Sequence, residues 1–200
     1  VVATDDQEIL KDVTQNGGKA ILTNKNHKTG TDRIYEAYEK LDIKNIDYIL
    51  NLQGDEPDIN KDDIISLNNF MIDQDAELGT LAAKIKDNEM LNNKNVVKVI
   101  TDKKLEENNF PIALNFTRDN LSTDYQNIYH HIGIYSYKAS ILKKFISLEQ
   151  TINEKENKLE QLRALDNNIK INICLAKESP IGVDTEEDFV AIKKIMEYKS

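Results

Sequence analysis

An apolar run, Tyr48-Ile49-Leu50-Asn51-Leu52, breaks at Gln53-Gly54 into two adjacent carboxylates and a proline, Asp55-Glu56-Pro57. This break constrains the fold more than any other stretch. A strand that stops at Gly54, with Pro57 barring its continuation, holds Asp55 at the carboxyl end of a sheet, the edge where open α/β sheets bind ligands. A carboxylate there suits a hard, oxygen-seeking cation such as Mg²⁺ beside phosphates. A solvated acidic turn accounts for the same four residues equally well when they are taken alone.

The surrounding pattern supports the α/β reading. Val1 to Thr4 reads as the end of a strand. Asp5-Asp6 leads into a helix through Ile9, Leu10 and Val13, closed by Asn16-Gly17-Gly18. Ala20 to Thr23 is a short strand, and Thr31 is placed to cap a helix with Ile34, Tyr35, Tyr38 and Leu41 on one face. After the strand ending at Gln53, Asn60 or Asp62 starts a helix through Ile64, Ile65, Leu67 and Phe70. Leu78 to Ile85 and Val96 to Ile100 are further strands. This βαβα order predicts a mainly parallel sheet. In the second half, Ala113 to Phe116 and Ile128 to Tyr137 read as strands and Ala139 to Leu148 as a helix. A helix around Leu159, Leu162 and Leu165, a strand from Ile169 to Ala176, and a helix from about Thr185 to Tyr198 follow. No repeat or flexible linker divides the chain, so one domain is expected.

Charge and cysteine usage narrow the partners. At 200 residues and a net charge of −9, the chain is a poor match for nucleic acid, whose binding needs a basic surface. One cysteine, Cys174, permits no intrachain disulfide and suits a reducing cytoplasm. No apolar run approaches membrane-spanning length, so membrane insertion is not expected. Of 26 Lys plus Arg, only Arg33, Arg118 and Arg163 are arginine. Arginine's rigid fork grips carboxylates and phosphates in a way lysine cannot, which singles these positions out.

Several constellations can carry chemistry. Gly182-Val183-Asp184-Thr185 precedes the last helix; capping explains Thr185 with Asp188 and leaves Asp184 free to share a metal with Asp55. Thr29-Gly30-Thr31-Asp32-Arg33 sets hydroxyls and an arginine at a helix amino end, where an anion is favoured, although a cap followed by a surface arginine fits as well. Arg118 ends a strand. His131 and Tyr135 share a strand face with Gly133, where a ligand can approach the backbone, whereas His130 points to the other face. Glu160 is placed to pair with Arg163 at i, i+3. There is no GxGxxG and no Ser-His-Asp order, and Cys174 sits in an apolar run. Metal-assisted chemistry on a phosphate with an anionic co-substrate is therefore favoured over nucleophilic catalysis.

Six motifs, Asn51-Leu-Gln-Gly-Asp-Glu-Pro57, Thr29-Gly-Thr-Asp-Arg33, Phe116-Thr-Arg118, His131-Ile-Gly-Ile-Tyr135, Leu159-Glu-Gln-Leu-Arg-Ala-Leu165 and Gly182-Val-Asp-Thr185, together resemble the 3-deoxy-manno-octulosonate cytidylyltransferases, or CMP-Kdo synthetases. The resemblance spans essentially the whole chain. It implies a Rossmann-like nucleotidyltransferase of the glycosyltransferase-A type with a mixed, mainly parallel sheet. It also implies a cytoplasmic, Mg²⁺-dependent homodimer that couples CTP to the acidic sugar Kdo for lipopolysaccharide assembly and releases pyrophosphate. Asp55 and Asp184 would hold Mg²⁺. Gln53, Arg118, His131, Tyr135, Glu160 and Gln161 would contact the sugar, and Thr29, Gly30, Thr31 and Arg33 would lie toward the nucleotide.

Two departures from the family pattern stand out. Family members begin with a strand and a basic Gly/Pro-containing loop that cradles the triphosphate. This sequence starts at about their second strand, so residues 1–200 are expected to be a single nucleotidyltransferase domain that is incomplete at its amino end, with little activity of its own. After Arg118 the usual Ile-Pro is replaced by Asp119-Asn120-Leu121-Ser122, which leaves the sugar's identity open. Two rival readings follow: an enzyme for a related acidic keto-sugar, and a non-catalytic homologue that binds sugar or dimerises.

Overall fold

The computed structural model of the protein describes residues 1–120, 126–180, 182–183 and 185–199. Two units form: Val1–Ile49 with Ala139–Glu149, and Leu50–Lys138 with Gln150–Ser200.

In the first unit, strands β1 (Val2–Thr4) and β2 (Ala20–Leu22) pair in parallel through helix α1 (Gln7–Gln15). Asp6 caps α1 by accepting from the Glu8 and Ile9 amides. The helix closes where the motif predicts, because Gly17 takes the left-handed φ of +79° that a side chain would resist. Its expected apolar face is shallower than the pattern suggests, since α1 has no buried residue and Ile9 is exposed. Helix α2 (Gly30–Leu41) is capped two residues before the expected Thr31. Thr29 is the cap, forming a reciprocal box with Asp32, and Thr31 is buried in the first turn. Helix α5 (Ala139–Ile146) completes this unit, and strand β3 (Tyr48–Asn51) begins in it.

The second unit holds a mixed sheet. Strands β4 (Leu78–Lys84), β5 (Lys98–Thr101), β6 (Ala113–Thr117), β7 (Ile128–Lys138) and β8 (Ile171–Leu175) run in the order β6-β5-β7-β4-β8, and β3 pairs with β7. β4 and β8 are parallel. The long β7 lies antiparallel to both β4 and β5, and β5 is antiparallel to β6. The parallel component is smaller than the βαβα opening suggests, because β6 and β7 flank β5 and both run antiparallel to it, and among the described residues no helix lies between β5 and β7. Helix α3 (Lys61–Asp73), capped by Asn60, packs Leu67 and Met71 onto β4. A Cβ at Gly79 would stand 2.5 Å from Met71 Sδ and 2.9 Å from the Phe110 ring, so that contact requires glycine. Ile65, grouped with the apolar face of α3, points outward at 47% exposure.

Short helices α4 (Asn88–Asn92), α6 (Ile152–Asn157) and α7 (Leu162–Asp166) fill the connections, and α8 (Glu186–Lys199) ends the chain. The expected helix around Leu159 is split, because Lys158 takes a left-handed φ of 53° and closes α6. Leu159 and Leu162 still face inward. Among the described residues no helix is long and apolar enough to cross a membrane.

Candidate active site

The candidate sugar residues all belong to the second unit, and β7 is its organising element. The β4–β7 ladder slips at one place: Thr80 opposes Tyr135, whereas Leu81 opposes Ile132, so Gly133 and Ile134 bulge out of the pairing. The bulge sits in the middle of the His131-Ile-Gly-Ile-Tyr135 motif. Gln53, just past the end of β3, lies over it, and a Cβ on Gly133 would stand 3.6 Å from Gln53 Nε2.

His131 is 8% exposed, with Phe116 edge-on at 5.1 Å between ring centroids and Tyr135 tilted at 5.5 Å. Its Nε2 lies 3.1 Å from Thr80 Oγ1. Burial, with positive charge at His130 and Arg118 adding to it, pushes the His131 imidazole down to about 3, so it is neutral at physiological pH. Tyr135 is held well above the usual phenol range by burial, then by Tyr137 and Glu160, and is therefore a neutral donor. These mutual influences place Arg118, His131, Tyr135 and Glu160 in one electrostatic neighbourhood.

Arg118 leaves the end of β6 and donates through Nη1 to the Asn95 carbonyl at 2.9 Å. Its own carbonyl accepts from Lys98 Nζ at 3.1 Å, and the Asn93 carbonyl accepts from the same ammonium at 3.0 Å. Lys98 is completely buried, and burial lowers its pKa, with Asp119 opposing and Arg118 reinforcing the shift. Sequence reading passed over Lys98 and Thr80. The signal for Lys98 was a lone cation inside the apolar run Val96 to Ile100; Thr80 is an ordinary strand residue and carried none.

Glu160 and Gln161 precede α7. Glu160 Oε1 is 3.6 Å from Arg163 Nη2, which bears out the i, i+3 contact, but the principal partner of Arg163 is elsewhere. Glu154 takes the guanidinium in a buried fork, Nε to Oε2 at 2.8 Å and Nη2 to Oε1 at 2.5 Å. Burial pushes the Glu154 carboxyl up, but the hydrogen bonds from Arg163 and Gln150 outweigh it and the net shift is down. Thr151-x-x-Glu154 announces a capping box, which it is. The fork with Arg163 is a tertiary contact that spacing does not reveal.

Asp55 is exposed in the turn after β3, and its carbonyl accepts from the Val183 amide at 2.9 Å. β3 and β8 are not neighbours in the sheet, yet the loop after β8 reaches the turn that bears Asp55. Asp184, next in sequence to Val183, lies outside the described residues. Thr185 and Asp188 form the expected cap: the Thr185 amide donates to Asp188 Oδ2 at 2.9 Å and the Asp188 amide to Thr185 Oγ1 at 3.2 Å. An accessible carboxylate on a backbone-tethered turn fits Mg²⁺, which takes one or two carboxylates and completes its shell with water and substrate phosphate.

The Thr29 to Arg33 motif lies in the first unit. Thr29 is committed to its capping box. Gly30 has open space where a Cβ would point, and Arg33 donates to Thr23 Oγ1 at 2.6 Å and pairs with Asp5 at 3.3 Å. Both Arg33 partners lie at the carboxyl ends of β1 and β2, the edge expected to meet a ligand.

A family model described as cytidylyltransferase matches residues 1–171. The 3-deoxy-manno-octulosonate cytidylyltransferase of Bartonella henselae is 41% identical over 197 residues, covering 98% of this chain and 80% of the relative. The enzyme of the same name from Thermodesulfovibrio yellowstonii is 40% identical with the same coverage. A solved structure of CMP:2-keto-3-deoxy-manno-octonic acid synthetase complexed with CTP superposes with a TM-score of 0.88 at 30% identity, covering 100% of this chain and 80% of that one. The 4-diphosphocytidyl-2C-methyl-D-erythritol synthase of Anaerococcus prevotii, at 16% identity and a TM-score of 0.59 over 96% of this chain and 78% of that one, shares the fold.

Proposed function

Because the chain belongs to the 3-deoxy-manno-octulosonate cytidylyltransferase family, we propose that it transfers the cytidylyl group of CTP to Kdo, giving CMP-Kdo and pyrophosphate. The anomeric hydroxyl oxygen of the sugar attacks the α-phosphorus, the bond to the β-phosphate oxygen breaks, and the hydroxyl proton is lost. The chain's own contribution is to fix an acidic sugar in line with that phosphorus.

Arg118, with guanidinium donors left beyond its bond to Asn95, binds the sugar carboxylate. Neutral His131 and Tyr135 meet sugar hydroxyls, as do Glu160, Gln161 and the Gln53 amide over the β7 bulge. Thr29, Gly30, Thr31 and Arg33 serve the nucleotide, where backbone N–H groups at the start of α2 favour phosphate. Asp55 and Asp184 would hold Mg²⁺, which when bound offsets negative charge on the phosphates. Homodimeric assembly, a cytoplasmic location and supply of lipopolysaccharide synthesis belong to the same reading and rest on the resemblance. The Kdo named for the relatives favours this sugar over a related keto-acid.

The observation that supports the reading is the bulge of β7 between His131 and Tyr135 with Gln53 over it, Arg118 acting electrostatically on His131 and Glu160 on Tyr135. Arg118→Lys tests it. Loss of the bidentate grip costs about 1.5–3 kcal/mol, so the KM for Kdo should rise roughly 10- to 150-fold while that for CTP stays within a few-fold. A variant that loses CTP affinity and keeps Kdo affinity would move Arg118 to the nucleotide.

A further inference from the structure

Where the pairing of β4 and β7 slips, one side chain of β4 reaches two carbonyls of β7. Thr80 Oγ1, fully buried, stands 2.7 Å from the Ile134 carbonyl and 3.0 Å from the Ile132 carbonyl, as well as 3.1 Å from His131 Nε2. A hydroxyl has one proton to give and lone pairs to receive. Two buried carbonyls accept only, so the proton goes to one of them, the shorter contact being to Ile134. The approach to the imidazole must then run the other way, with Nε2–H donating to Thr80 Oγ1. A neutral imidazole protonated at Nε2 carries a bare lone pair at Nδ1, and among the described residues the His131 ring makes no further hydrogen bond.

The geometry points to Thr80 as a positioning residue that locks His131 in the Nε2–H tautomer, so that Nδ1 accepts a hydrogen bond from a hydroxyl of the sugar substrate. The site then divides its work: Arg118 supplies donors to the carboxylate, and His131 supplies an acceptor that a carboxylate cannot use. The burial that keeps His131 neutral acts in the same sense, since an imidazolium would donate from both nitrogens. The tautomer follows from the fold alone; the role toward the sugar rests on the reading of His131 as a sugar-facing residue.

Imidazole ¹⁵N spectra of the protein, with His131 assigned by its loss in His131→Gln, test the lock, and steady-state kinetics test the role. The wild type should show a proton-bearing Nε2 and a bare Nδ1. Thr80→Val, which keeps the shape and removes the hydroxyl, should shift both nitrogens toward an averaged pair and raise the KM for Kdo about tenfold, the worth of one oriented hydrogen bond, with the CTP KM within about twofold. Thr80→Ser should restore both. A wild-type proton on Nδ1 overturns the lock whatever the function, and decides it even if the valine variant fails to fold. A shifted tautomer in Thr80→Val with an unchanged Kdo KM overturns the positioning role. An unchanged Kdo KM in His131→Gln, with the wild-type tautomer as expected, instead removes His131 from the sugar site and leaves the lock a feature of the fold.

Discussion

Replacing Glu154 by glutamine should destabilise the protein, and its cost can be worked from the fork with Arg163. Glu154 is 3% exposed and Arg163 2% exposed, and the two parallel bonds of 2.8 and 2.5 Å use both carboxylate oxygens. The amide offers one acceptor and one donor, so half of the fork becomes a donor facing a donor. The guanidinium cannot shed its charge, and breaking a buried pair costs about 3–5 kcal/mol. Glu160 Oε1, 3.6 Å from Nη2, can close in and recover part of this, which places the expected loss near the lower end, about 3 kcal/mol. For a chain of this length that is a fall in Tm of roughly 6–12 °C. Urea unfolding should show a lower midpoint with an unchanged slope. Because Glu160 is drawn toward Arg163, the KM for Kdo should also rise. The double variant Glu154→Leu, Arg163→Met should recover most of the stability, since no charge is then left buried. A loss below about 1 kcal/mol in Glu154→Gln would refute the claim that this fork anchors the segment carrying Glu160 and Gln161.

Two further outcomes are expected. Asp55→Asn should retain the fold, since the tether to Val183 uses the Asp55 backbone, and should lower kcat by at least roughly a hundredfold in Mg²⁺-supported pyrophosphate release; near-normal turnover would remove Asp55 from the metal site. His131, held at about 3 against an unfolded value near 6.5, binds a proton in the unfolded chain at pH values where the native state refuses it. Its contribution is therefore fully present above about pH 6.5 and lost as pH falls toward 3, by up to about 1.4 kcal/mol per unit. The stability difference between wild type and His131→Gln, measured by denaturation across that window, should shrink on acidification, and a constant difference would contradict a neutral buried imidazole.

Local chemistry made most of the element order legible. Asn16-Gly17-Gly18 closes α1, Asn60 opens α3, and Thr185 with Asp188 opens α8, because each signal is a short-range hydrogen-bond pattern that tertiary structure did not override. Thr31 was misplaced as a cap since two threonines flank Gly30 and only the reciprocal bond of Thr29 with Asp32 distinguishes them. Strand direction was less legible, as the antiparallel insertion of β7 depends on long-range pairing that period-2 patterning does not encode. Arg118 stood out at the end of a strand, His131 and Tyr135 within a strand on either side of Gly133, and Glu160 beside a helix. The residues that hold them, Thr80, Lys98 and Glu154, are buried polar groups; a lone cation in an apolar run marks Lys98 and a capping box marks Glu154, but the contacts that do the holding are tertiary or to backbone and leave no local signal.

The central claim, cytidylyl transfer from CTP to Kdo, is tested most directly by incubating the protein in full-length form with CTP, Kdo and MgCl₂ and following the products by mass spectrometry together with coupled pyrophosphate detection. The account predicts CMP-Kdo and pyrophosphate in equal amounts, dependent on all three additions, with Arg118→Lys shifting the Kdo dependence alone. Product formation of equal efficiency with an uncharged sugar in place of Kdo, or consumption of CTP without a cytidylylated sugar, would contradict it.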